Sequence, residues 1–112
     1  MKVTLVGNNE IVSGNFGYDL EFTLQDKDDN PVDLTGATSI LFLAKKIDDI
    51  YSVGGACTIV EASEGTCRYP VKDTDFSTSG QHIGEITVAW EGKELTFRGY
   101  KFLVHTKQVI EP

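Results

Sequence analysis

The chain has 112 residues, 40% of them hydrophobic and 24% charged, and its 17 acidic and 10 basic side chains give a formal net charge of −7. That length suits one domain, expected over residues 1–112, with 109–112 as a frayed tail or the start of a linker. The negative balance opposes a phosphate backbone or an anionic lipid surface, so neither nucleic acid nor membrane is expected as a partner. No apolar run suffices for a signal peptide or a membrane span, so the chain is expected to be made in a cytoplasm without signal-directed export.

Val3, Leu5 and Ile11 read as a first strand interrupted at Gly7-Asn8-Asn9. Ser13-Gly14-Asn15 is a turn, and Phe16 or Tyr18 opens the next strand. From Asp19 to Gln25, Leu20, Phe22 and Leu24 alternate with polar residues, the period of a strand with one buried face. Asp26 to Pro31 is a turn, since Pro31 cannot donate to a ladder. Asp33-Leu34-Thr35-Gly36 makes a tight structural corner: Leu34 plugs the core, Asp33 and Thr35 bond nearby backbone, and Gly36 takes a left-handed conformation.

Thr38 to Lys45 is the second strong strand, with Ile40 and Phe42 on one side and Leu41 and Leu43 on the other. Both faces are apolar, so Leu41 and Leu43 are either covered by Ile47–Gly55, itself a loop or a short edge strand, or form a partner interface. Ala56–Glu61 and Thr66–Val71 form a hairpin around Ala62-Ser63-Glu64-Gly65. Lys72–Gly80 is a polar crossover between sheets. Gln81–Trp90 is a strand with Ile86, Val88 and Trp90 inward. Leu95–Phe97 and Tyr100–Val104 complete the sheet, broken at Arg98-Gly99.

Seven or eight short strands spaced by turns predict an all-β fold, an antiparallel immunoglobulin-like β-sandwich, with a small closed barrel as the alternative.

Candidate chemistry is sparse. Asp26, Asp28, Asn30 and Asp33 are spaced like the start of a calcium loop, but Pro31 and Ala37 stand where such a loop needs Gly and Glu. A solvated acidic turn is the preferred reading. Cys57 and Cys67 both point inward from the hairpin arms. Its register sets Cys57 opposite Tyr69 or Pro70, so free thiols are expected. His82 and His105 lack ligand-type neighbours. No metal, no cofactor and no catalytic residue is assigned, and an enzyme is not expected. Of the aromatics Tyr18, Tyr51, Tyr69, Trp90 and Tyr100, alternation buries Tyr69 and Trp90, leaving Tyr51 with Tyr18 or Tyr100, too few for a sugar-stacking platform.

The run Phe22 to Lys46, and above all Pro31-Val32-Asp33-Leu34-Thr35-Gly36-Ala37-Thr38, resembles the immunoglobulin-like N-terminal domain of phage baseplate upper proteins and related virion proteins. Gly65 with Tyr69, Asp73-Thr74 and the Gly84–Gly92 hairpin strand extend the likeness over Tyr18 to Val104. The resemblance implies a structural virion protein of tail, baseplate, fibre or capsid, made in the host bacterium. It would contact other virion proteins or further copies of itself, with Leu41 and Leu43 as the interface. It implies either a short virion protein or the first part of a longer one. The alternative is a carbohydrate-binding module that recognises host surface polysaccharide.

Overall fold

The computed structural model describes residues 1–7 and 10–107. The expected tail at 109–112 lies outside them. The described residues form nine strands: β1 (Lys2–Leu5), β2 (Ile11–Val12), β3 (Asp19–Gln25), β4 (Ser39–Lys46), β5 (Val53–Ala56), β6 (Thr58–Glu61), β7 (Thr66–Pro70), β8 (Gly80–Trp90) and β9 (Lys93–His105), with a 3-10 turn at Ala62–Glu64. One sheet has the order β1-β3-β7-β6 and the other β2-β9-β8-β4-β5.

The alternation in β3 and β4 determines how these sheets meet. Leu20, Phe22 and Leu24 are buried on one sheet, and Ile40, Phe42 and Ala44 on the other. Phe22 stacks on Phe42 at 5.2 Å between centroids, and Phe42 meets Tyr69 of β7 at 4.9 Å. These ring contacts join the sheets across one shared core, each adding about 0.5–1.5 kcal/mol beyond the area it buries. Ile86, Val88, Phe97 and Val104 fill the core from β8 and β9. The crossover after β7 does carry the chain from one sheet to the other, and it buries Phe76.

Several expectations need correction. The strand count is nine, not seven or eight, because the first apolar stretch splits and the segment after β4 supplies an edge. β1 pairs with β3 while β2 pairs with β9, so the chain changes sheets between Leu5 and Ile11. β2 runs parallel to β9, so the fold is not purely antiparallel. The break at Arg98-Gly99 is a bulge inside one continuous β9, where the register shifts between Gly84 and Ile86 of its partner. One extra residue on β9 is absorbed there while the ladder continues on both sides.

Trp90 is half-buried rather than central. As the last residue of β8 it reaches past the sheet end, and its indole Nε1–H donates to the Thr35 carbonyl at 3.1 Å. Ile59 is exposed although it pairs with the buried Cys67, because β6 is an edge strand. Cys67 is buried and Cys57 half-buried, and both are free. The hairpin register pairs Thr58 with Arg68, which sets Cys57 across from Tyr69 as expected.

Candidate partner interface

The two sheets differ on their outer faces. β4 presents Leu41 and Leu43 outward, opposite the buried Ile40, Phe42 and Ala44. Register places Thr87 and Glu85 of β8 beside them, and Ile83 diagonally next to Leu43. On β9 the outward positions are Thr96 beside Thr87, Lys101 beside Ile83, and Leu103 beside Gln81. Leu41, Leu43, Ile83 and Leu103 thus fall on a diagonal line, at a spacing that side chains of this length bridge.

The segment Ile47–Gly55 does not cover this line. Its end, β5, lies beside β4 as an edge strand, so Leu41 keeps 41% of its surface exposed. Leu43 is half-buried. The edge depends on a glycine: Gly54 sits at φ +139°, and a Cβ there would stand 1.9 Å from the Phe42 carbonyl oxygen. No other residue type fits, and the missing side chain leaves Leu43 with no side chain directly opposite it on that flank.

A shallow cavity of about 550 Å³ opens beside Leu43, lined also by Ser52, Ile83, Glu85, Arg98 and Gly99. The β9 bulge supplies Arg98 and Gly99 to its wall. Arg98 lies 4.0 Å from the Glu85 carboxylate, an exposed contact worth little by itself. Thr87 and Thr96 hydroxyls meet at 3.2 Å next to the apolar line. Ile83, Arg98 and Leu103 were not singled out in the sequence, yet the His82-Ile83-Gly84 alternation with an inward His82 would have turned Ile83 outward.

The corner residues sit at one end of the sheets. One Asp33 carboxylate oxygen accepts the Thr35 backbone N–H at 2.9 Å and its hydroxyl at 2.6 Å. Those two bonds, the hydroxyl's first, hold the Asp33 carboxyl below its usual range. Leu34 is fully buried, its N–H donating to the Ala62 carbonyl at 2.9 Å. Gly36 has φ +79°. Lys93 Nζ lies 4.4 Å above the Trp90 ring beside this corner. The corner and the Leu41–Leu43 face are separate places, so the structure does not bring the two sets of named residues together.

The acidic turn satisfies itself. Asp26 accepts the backbone N–H groups of Asp28 and Asn30 at 2.9 and 3.0 Å, and Asp29 pairs with Lys2 at 3.1 Å. Among the described residues no group of three or more His, Cys, Asp or Glu is placed to hold a metal ion.

The free thiols of Cys57 and Cys67 bias each other's ionisation through their mutual interaction. That interaction and then burial push the Cys67 thiol well up, while the same interaction lowers Cys57. At the end opposite the corner, Asp75 and His82 are buried at 6% and 4% exposure. Asp75 accepts the Tyr69 hydroxyl and the Lys72 backbone N–H. His82 Nδ1 lies 2.9 Å from the Gly80 carbonyl.

Residues 7–111 match the family model of the BppU N-terminal domain, the N-terminal domain of the phage baseplate upper protein. The chain belongs to this family. No curated protein matches the chain. Membership of the BppU N-terminal domain family points to a structural role in the phage baseplate, as a virion component. It implies contacts with other virion proteins. The family is a phage structural domain and is generally not enzymatic.

Proposed function

We propose that residues 1–112 form one immunoglobulin-like β-sandwich that builds part of the phage tail or baseplate by docking on other virion proteins, through the outer face of its five-stranded sheet. Leu41 and Leu43 are the anchors, extended by Ile83 and Leu103. The observation that carries this reading is the uncovered apolar line on a sheet whose other face is already filled by core. Exposed apolar surface of this kind, rimmed by Glu85, Arg98 and Lys101, is what a partner-binding patch requires. The corner at Asp33, Leu34, Thr35 and Gly36 is structural in this account: it fixes the chain between β3 and β4 and closes one end of the core.

The test is the double substitution Leu41→Glu with Leu43→Glu. Both side chains point away from the core, so the variant folds with an unchanged circular dichroism spectrum. It fails to co-assemble with its neighbouring virion protein or with further copies of itself. A double variant that folds and assembles normally overturns the docking face.

A further inference from the structure

We infer that the end of the molecule opposite the corner carries a site for a single neutral sugar ring. A cavity of about 280 Å³ opens there, and Tyr51, Asp75, Ser77, Thr78 and His82 are among the residues that line it. Its floor holds two side chains that folding has buried at a cost, Asp75 and His82. Each is only partly satisfied. One Asp75 oxygen takes the Tyr69 hydroxyl and the Lys72 N–H, and the other has no protein partner among the described residues. His82 bonds through Nδ1 to Gly80, and its Nε2 has no protein partner among the described residues. Each of these largely buried side chains keeps one polar atom open to the same cavity, an arrangement that suits a ligand with hydroxyls.

The rim supplies the apolar half of such a site. Tyr51 is 74% exposed and lines the same cavity. Its loop is held in place: the Asp49 carboxylate accepts the N–H groups of Ile50 and Tyr51 at 2.7 and 3.2 Å, and Lys45 Nζ donates to the Asp49 carbonyl at 3.1 Å. A pinned, exposed ring beside a polar floor offers a stacking surface with hydroxyl partners behind it.

Charge and size narrow the ligand. Lys45 and Lys46 balance Asp49 and Asp75 among the lining residues, so the site is close to neutral within a chain of net charge −7. A charged ligand would leave one of those pairs uncompensated. The volume falls just under the roughly 300–1,000 Å³ of pockets for drug-sized ligands, which suits one pyranose ring and not several. The site adjoins the docking face at Lys45, which lines both cavities, but neither Leu41 nor Leu43 lines it and Thr87 points to the outer face of the sheet.

The experiment is an amide chemical-shift titration of the full chain with glucose, galactose and N-acetylglucosamine, then with short oligomers of each. The expected result is saturable shifts at Tyr51, Thr74, Ser77, Thr78 and His82 for at least one sugar, with Kd on the order of 1 mM. Tyr51→Ala, a surface change that leaves the melting temperature in place, weakens that binding about tenfold, the scale of one lost aromatic contact. Thr87→Ala does not. Tighter binding of the oligomer identifies the ring as a unit of a glycan chain, and equal binding identifies a free or terminal sugar; both support the site. The absence of saturable shifts up to ~100 mM with every sugar overturns it. So do shifts that Tyr51→Ala leaves untouched.

Discussion

The outer faces of the two sheets are built from the same kind of alternating strand, yet they carry opposite surfaces. On the four-stranded sheet the outward positions of β1, β3 and β7 are Thr4, Glu21, Thr23, Thr66 and Arg68, with Thr4, Thr23 and Thr66 in one cross-strand row. Arg68 and Asp19 lie 3.9 Å apart on that face. On the five-stranded sheet the outward positions include Leu41, Leu43, Ile83 and Leu103 among the polar Glu85, Thr87, Thr96 and Lys101. A half-buried strand needs apolar residues only on its inner face. In the four-stranded sheet β1, β3 and β7 follow that rule while the edge strand β6 exposes Ile59 and Val60, and the five-stranded sheet exceeds it at Leu41 and Leu43 of the inner strand β4. That surplus is what supports the proposed docking face.

The comparison can be broken first from beneath. Phe42 sits under Leu41 and Leu43 and joins the sheets through Phe22 and Tyr69. Phe42→Ala should cost about 3–5 kcal/mol in urea unfolding. Thr23→Ala on the opposite outer face should stay within about 0.5 kcal/mol. Equal losses would mean that the core does not run through Phe42. Next comes the edge beside Leu43. Gly54→Ala should cost about 1–3 kcal/mol from backbone strain, with the clash against the Phe42 carbonyl added, and should speed amide exchange in β5 before β7. Unchanged exchange in β5 would show that the glycine is not required.

A smaller effect separates the sheets by pH. Burial, then the bond to Asp75 and the Asp75 charge, push the Tyr69 hydroxyl above its ordinary value. A raised folded value favours the neutral form, so the stabilisation is complete below the unfolded value of about 10 and is lost as pH rises past it. Wild type should therefore lose stability on the alkaline side, and Tyr69→Phe should flatten that limb while leaving Asp75 without a donor. Smallest is a reactivity difference: Cys57, half-buried with a lowered thiol, should react with iodoacetamide in the native state, and Cys67 should react only on unfolding. Mass mapping of the labelled peptides reads this directly.

What the sequence shows of this molecule follows the range of its physical signals. The strict alternation of Leu20, Phe22 and Leu24, and of Ile40 to Leu43, exposes strand, face and core at once. A short turn sets the register that places Cys57 across from Tyr69. Longer-range outcomes leave weaker traces. Nothing local tells that β1 and β2 belong to different sheets, because that depends on which partner strand each meets. Arg98-Gly99 reads as a break because a bulge and a turn use the same residues. Trp90 continues an inward alternation, but a strand's last residue has no sheet above it to pack on. Asp75 sits in a polar run that gives no sign of its burial, since its partner Tyr69 lies on the preceding strand. The outward Leu41 and Leu43 were visible; their lack of cover required the position of β5.

The most direct measurement compares the two faces in one assembly assay. Leu41→Glu with Leu43→Glu is set against a matched pair on the other sheet, Thr23→Glu with Thr66→Glu, with each chain checked for folding by thermal unfolding. Co-sedimentation with the neighbouring virion proteins should be lost for the first pair and kept for the second. Retention by the first pair, or loss by the second alone, would contradict the assignment of the five-stranded sheet as the docking face.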